Sequence, residues 1–271
     1  DDAQHFVHNA RSLLPGNTSS NIITIDNRQV VVDTLSMGID SRKFEESAGS
    51  EQVLEEIEGL NEAFGEYKFI LSIDRLDYSK GIIQRLQAFE QLLLNYPQYI
   101  GKVLLYMIVV PSRDNVPQYK ELRDEIDMLV GNINARFRTI AWVPVVYFYR
   151  SFSFETISAL YANADICLVT PMRDGMNLVC KEYVATRVNN DGVLILSEMA
   201  GASKELIDAI IVNPNNIDAI VNAIHEAIEM PLDEQNRRIS SMRQLIHKFN
   251  ISHWVKIFLD RLKEVKAMQK S

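Results

Sequence analysis

Residues 173–183 read Arg173-Asp174-Gly175-Met176-Asn177-Leu178-Val179-Cys180-Lys181-Glu182-Tyr183. A short apolar run, Ile166 to Val169, leads into this stretch, and a helical pattern, Asn177 to Arg187, leads out of it. Asp174 and Gly175 stand at the joint, residue types disfavoured inside strands and helices and favoured in tight connections. A strand–turn–helix joint in an α/β sheet presents side chains and free amides at the carboxyl ends of the strands, where such sheets bind ligands. A helix starting at Met176 or Asn177 would put Glu182 between one and two turns in. Two carboxylates and a positive helix end would then line one crevice. An Asp-Gly pair is also the ordinary start of a capped, solvated helix, so the rest of the chain must decide.

Working outward, apolar strands alternate with amphipathic helices. Strands are expected at Tyr67–Ile73, Lys102–Val110, Thr139–Trp142, Ile166–Val169, Val193–Leu196 and Ile210–Val212. Several are continuous apolar runs, as in parallel strands covered on both faces. Helices are expected from Glu51 to Phe64, from Ile82 to the stop at Pro97, and over Gln118–Ile133, Ser153–Ala162, Ile217–Glu229, Asp233–Phe249 and Ser252–Met268. The fold class is therefore α/β, a doubly wound parallel sheet. Asp74–Gly81 reads as a polar turn, and Ser41–Gly49 as polar and irregular. The first ~35 residues fall outside the alternation. They read as a helix to Leu14, a stop at Pro15-Gly16-Asn17, and a hairpin of Asn21–Ile25 and Val30–Leu35 around Asp26-Asn27-Arg28.

The 271 residues are 47% hydrophobic and 24% charged, with a net charge of −8. That is ordinary globular composition, and its sign argues against a general nucleic-acid binder. No apolar run approaches the ~20 residues of a membrane helix, and no signal segment opens the chain. Cys167 and Cys180 match no metal spacing and read as core residues in a reducing cytoplasm. The five histidines fall in helical stretches outside the loops, so no metal site is expected.

Two further loops follow strands and open at the same edge. Asp74-Arg75-Leu76-Asp77-Tyr78-Ser79-Lys80-Gly81 supplies Arg75 and Lys80, a fork and a point charge suited to phosphate oxygens. Val110-Pro111-Ser112-Arg113-Asp114 supplies Arg113. Each cation has a plainer reading: Arg75 paired with Asp74 or Asp77, Lys80 solvated, Arg113 paired with Asp114. Together, cations suit a diphosphate, and the carboxylates Asp174 and Glu182 suit sugar hydroxyls. Neither a Walker-type phosphate loop nor a Gly-x-Gly-x-x-Gly turn is present.

At these residues the sequence resembles a known family. The two cationic loops, Leu129-Val130-Gly131-Asn132-Ile133-Asn134, Arg173 to Val179, Glu182-Tyr183, Gly192 to Glu198 and Val212-Asn213-Pro214 occur in the order found in trehalose-6-phosphate synthases. These are retaining glycosyltransferases of family 20 with two facing Rossmann-like domains, the GT-B fold. The likeness covers nearly the whole chain.

The resemblance implies transfer of glucose from UDP-glucose to glucose 6-phosphate, giving trehalose 6-phosphate and UDP, with no cofactor or metal. It implies that Arg75 and Lys80 bind the donor diphosphate and that Arg113 meets the acceptor phosphate. Asp174 with the amides of Gly175, Met176 and Asn177 would hold the transferred glucose. Leu178 and Val179 would lend amides to the phosphates, Glu182 would take the ribose hydroxyls, and backbone near Phe152 would contact uracil. Arg75, Lys80 and Asp174 are the expected catalytic set. By the same likeness, residues 1–38 would be the remnant of an N-terminal acceptor domain otherwise missing from this chain, and 39–250 the UDP-glucose-binding domain. Residues 251–271 would be a helix that crosses back to the missing domain. Such a piece is expected to bind donor without turnover, in the cytoplasm, with homo-oligomers left open. A transferase using another phosphorylated acceptor, such as glycerol 3-phosphate, a non-catalytic sugar-phosphate-binding regulator and a nucleotide-sugar epimerase stand as alternatives.

Overall fold

The computed structural model describes residues 2–14, 17–19, 21–25, 28–113 and 115–269. The expected stop at Pro15-Gly16, the turn at Asp26-Asn27 and the partner Asp114 lie outside the described residues. The chain divides into two compact units, residues 1–38 with 248–271, and residues 39–247.

In the first unit, helix α1 (Asp2–Leu13) precedes three antiparallel strands, β1 (Asn17–Ser19), β2 (Ile22–Ile25) and β3 (Arg28–Val31), in that order. The hairpin expected from sequence is β2–β3; β1 was not expected, being three polar residues without alternation.

The second unit follows the periodicity of its sequence. Its elements are α2 (Ser41–Ala48), α3 (Glu51–Phe64), β4 (Lys68–Arg75), α4 (Ile82–Asn95), β5 (Val103–Val110), α5 (Pro117–Phe137) and β6 (Val145–Phe148). They continue as α6 (Phe154–Asn163), β7 (Ile166–Val169), α7 (Val179–Thr186), β8 (Val193–Ser197), β9 (Ile210–Val212), α8 (Ile217–Glu229) and α9 (Leu232–Lys248). Helix α10 (Ile251–Met268) returns to the first unit, where Trp254 Nε1 donates to the Leu35 carbonyl at 3.3 Å. No α10 residue is buried, and Val255, Phe258, Leu259 and Leu262 are exposed.

The six strands of the second unit form one parallel sheet in the order β6-β5-β4-β7-β8-β9. Side chains alternate between its faces. Ile70, Leu105, Met107, Leu168 and Ile195 pack under α4, α5 and α8. Phe69, Leu71, Leu104, Tyr106, Cys167 and Leu194 pack under α6, α7 and α9. Both faces are covered, which is why these strands read as unbroken apolar runs.

The order places the decisive feature. The chain builds outward from β4 to β5 and β6, then jumps back to lay β7 on the other side of β4. That reversal is a topological switch point, where a crevice opens between loops that run to opposite faces. β4 and β7 pair through only two register positions, Ile70 with Ile166 and Leu71 with Cys167. β4 continues to Arg75, beyond the expected end at Ile73, so the strands part below the loops.

Three sequence expectations are corrected. Residues 41–48 form a helix, not an irregular segment: Asp40 accepts from the Lys43 amide at 3.3 Å, and Phe44 packs on Phe154 and Tyr161. One apolar contact row among polar residues gave too weak a period to read. The strand expected at 139–142 lies instead at Val145–Phe148. Trp142 is a buried anchor whose Nε1 donates to the Val103 carbonyl at 3.0 Å. Pro144 is tolerated beside β6 because that strand is at the sheet's edge. Finally, α7 begins at Val179, because Asn177 is left-handed (φ +69°) and cannot start a right-handed helix.

Candidate functional site

Four loops follow β4, β5, β6 and β7 at the carboxyl edge of the sheet. The β4 loop is held from below by Arg85, a fully buried arginine on α4. Its guanidinium pairs with Asp74 and donates to the Lys80 carbonyl, to Ser72 Oγ at 2.5 Å and to the Leu168 carbonyl at 3.3 Å. It thus pins the parting ends of β4 and β7 to one another and to the loop. Burial pushes the Asp74 carboxyl up, and the Arg85 charge pulls against it. Gly81 closes the loop at φ +68°, and a Cβ there would lie 2.2 Å from the Thr170 carbonyl oxygen. The Ser79 carbonyl accepts from the amides of Met172 (2.8 Å) and Arg173 (3.2 Å). The two loops are therefore stitched together by backbone.

At the top of that seam Lys80 Nζ and Asp174 Oδ2 meet at 2.6 Å, both side chains about one-seventh exposed. Asp174 also accepts from the Met176 amide and Asn177 Nδ2, each at 3.2 Å. Burial works to raise the Asp174 carboxyl, but Lys80 and these hydrogen bonds outweigh it and hold the group below its ordinary range. It is ionised at neutral pH. The left-handed turn at Asn177 lets its Oδ1 accept from the Cys180 amide at 3.2 Å, capping α7. The amides of Gly175, Asn177, Leu178 and Val179 have no hydrogen-bond partner among the described residues. These groups suit an anion or a row of hydroxyls.

A fifth segment, after β8, clamps this loop from the far side. Gly201 N donates to the Asp174 carbonyl at 3.0 Å and Ala202 N to the Met176 carbonyl at 2.9 Å, while Asp174 N donates to the Met199 carbonyl at 3.2 Å. A Cβ at Gly201 would lie 2.1 Å from the Gly175 oxygen, so the clamp works at this distance only with glycine.

The remaining expected residues fall as follows. Arg75 ends β4 exposed, and its side chain has no hydrogen bond or ion pair among the described residues. Neither suggested partner holds it, since Asp74 is taken by Arg85 and Asp77 by Ser79 and Tyr119. Lys80 is not solvated but paired. Arg113 (φ +54°) donates to Tyr119 Oη at 2.7 Å, and that hydroxyl donates to Asp77 Oδ2 at 3.1 Å. The β5 loop is thereby tied to the β4 loop. Phe152 is half-buried after β6, with Arg150 stacked on its ring at 4.4 Å. Glu182 sits in the first turn of α7 and accepts from Tyr161 Oη at 2.9 Å. Burial raises its carboxyl above the usual glutamate range, against the Tyr161 hydrogen bond and the charge of Lys43.

Arg85, Tyr119, Tyr161 and Gly201 were not expected from sequence. Arg85 alone left a signal, a charged residue on the inward row Ile82, Leu86, Phe89 and Leu93.

Comparison with known proteins agrees with this geometry. The model of glycosyltransferase family 20 matches residues 1–264. The bifunctional trehalose-6-phosphate synthase/phosphatase of Thermoproteus tenax is 44% identical over 245 residues, 90% of this chain and 34% of its own length. The crystal structure of a UDP-forming α,α-trehalose-phosphate synthase from Burkholderia xenovorans superposes with a TM-score of 0.93 at 37% identity, covering 98% of this chain and 60% of that one. The E. coli trehalose-6-phosphate structure bound with UDP-2-fluoro glucose superposes with a TM-score of 0.90 at 34% identity, covering 97% and 58%. The chain thus spans between a third and three fifths of the length of these relatives.

Proposed function

Since the chain belongs to glycosyltransferase family 20, we propose that its second unit binds UDP-glucose and supplies the donor side of a retaining glucosyl transfer to glucose 6-phosphate. The observation that carries this reading is the meeting of Lys80 and Asp174 at 2.6 Å over the switch point, beside the open amides of Gly175, Asn177, Leu178 and Val179. A cation for phosphate, a carboxylate for hydroxyls and amides for either are then within one crevice.

In this reading Arg75 and Lys80 take the diphosphate. Lys80 leaves Asp174 for phosphate oxygens, and Asp174 with the amides of Gly175 and Asn177 takes the glucose hydroxyls, while the Met176 amide, which donates to Asp174, orients that carboxylate rather than meeting the sugar. Leu178 and Val179 offer amides to the phosphates, Glu182 accepts from the ribose diol, and backbone near Phe152 meets the base. The acceptor, its phosphate on Arg113, approaches the face of the glucose that the diphosphate leaves. As the C1–O bond to phosphate breaks and the new C1–O bond forms, the leaving phosphate oxygen takes the acceptor's proton. Positive charge from Arg75 and Lys80 stabilises that oxygen as it becomes anionic. The proposal assigns no resident metal or cofactor. Donor binding is the share of the reaction that falls to these residues.

The pKa directions give a test. Ribose recognition needs ionised Glu182, whose carboxyl lies above the ordinary range, whereas Asp174 lies below it. On acidification Glu182 therefore protonates first. UDP-glucose, whose esterified diphosphate stays ionised, is expected to bind more weakly as pH falls through the Glu182 pKa, before Asp174 titrates. Fluorescence titration from neutral to acid pH should show this limb in the wild type and a flatter profile in Glu182→Gln. An unchanged limb in Glu182→Gln contradicts the assignment.

A further inference from the structure

Tyr161 belongs to α6, and its ring is sealed in the core beneath that helix. It is 1% exposed, lies edge-on to Tyr183 at 6.5 Å and tilts against Phe44 at 6.5 Å. A phenylalanine would fill the same space. The hydroxyl is what sets Tyr161 apart, and a buried hydroxyl is costly unless it finds a partner. Among the described residues that partner is Glu182 Oε2, at 2.9 Å.

A glutamate carboxylate turns freely about its last torsion, which has a broad, two-fold profile. It offers about four lone-pair sites. The Tyr161 hydroxyl occupies one of them and comes from a ring that cannot move. The carboxylate plane is therefore set before any ligand arrives. Oε1 and the second lone pair of Oε2 remain, enough to accept from both hydroxyls of a vicinal diol. Fixing a side chain in advance removes an ordering cost from binding.

We propose that Tyr161 is a positioning residue for ribose recognition, its hydroxyl locking the Glu182 carboxylate in the orientation that receives the 2′- and 3′-hydroxyls of the sugar nucleotide. The inference rests on the sugar-nucleotide reading of the site and adds to it a residue whose hydroxyl, among the described residues, meets Glu182. The charge of Lys43 also acts on Glu182, and Lys43 is itself seated over the Phe154 ring at 4.2 Å.

The test compares UDP with 2′-deoxy-UDP by calorimetric titration into the 271-residue chain. A hydrogen bond from ligand to a carboxylate predicts a preference for UDP of about tenfold or more in the wild type. Glu182→Gln should remove most of that preference. Tyr161→Phe, which keeps the packing, should narrow it to about threefold or less while moving the Kd of 2′-deoxy-UDP less than about twofold, since the lost hydrogen bond acts through the 2′-hydroxyl. A preference unchanged in Tyr161→Phe but lost in Glu182→Gln overturns the positioning role and leaves the ribose assignment standing. Equal weakening of both nucleotides in Tyr161→Phe means a merely structural role and also overturns it. A preference that survives Glu182→Gln, or a wild type that binds no UDP, overturns the sugar-nucleotide reading itself.

Discussion

Replacing Arg85 by methionine is expected to cost about 3–5 kcal/mol of stability, the range found when one partner of a buried ion pair is removed. In a unit of this size that lowers the melting temperature by roughly 10 °C. The cause is specific. Asp74 would remain buried near the end of β4 with its counter-charge gone, and the Lys80 carbonyl would lose its donor. Differential scanning calorimetry of Arg85→Met checks the magnitude. Adding Asp74→Leu should recover much of the loss, because an apolar pair can replace a buried ionic one at little net cost. It should not restore ligand binding, since the guanidinium also holds Ser72, Leu168 and Lys80 in place. A single variant as stable as the wild type would mean that the pin is ornamental and that the β4 loop is placed by something else.

Gly81→Ala is expected to cost about 2–4 kcal/mol and to abolish the order of the Lys80 loop. Two effects add. A side chain at φ +68° is strained by roughly 1–2 kcal/mol. Its Cβ would also stand 2.2 Å from the Thr170 oxygen, which belongs to backbone and cannot swing aside. The loop must lift away from β7, and Lys80, the preceding residue, must leave Asp174. Gly101 separates the two effects, having φ +77° but nothing within 4 Å of its would-be Cβ. Gly101→Ala should therefore show the strain alone and leave UDP-glucose binding intact. Urea denaturation of the two variants measures the difference. Equal losses in both would remove the close packing of Gly81 on Thr170 from the account.

The sheet was legible because its strands are covered on both faces and its helices on one. Continuous runs such as Leu104–Val109 and the row Ile82, Leu86, Phe89 and Leu93 report burial directly. The loops were legible for a related reason, since strand ends in such a fold fix where polar residues must gather. What periodicity does not encode is which polar groups meet across the switch point. Lys80 and Asp174 stand 94 positions apart, and each reads locally as a solvated residue. The left-handed Asn177 was hidden because it looks like one more helical residue in Met176-Asn177-Leu178-Val179. β6 was misplaced because a proline at a sheet edge carries the same letter as one that breaks a strand. Tyr161 was invisible among core aromatics, since its hydroxyl, not its ring, makes it unusual. The misses within the site each concern a single hydrogen bond or dihedral decided by tertiary neighbours.

The same geometry defines the central claim, that Arg75 and Lys80 at the carboxyl edge hold the diphosphate of a sugar nucleotide. The direct measurement is isothermal titration of UDP-glucose into the 271-residue chain and into its Arg75→Ala, Lys80→Ala double variant. The wild type is expected to bind, and the double variant to bind at least tenfold more weakly, since charge-assisted hydrogen bonds to phosphate would be lost. Equal affinity in the two proteins, or no binding in the wild type, would contradict it.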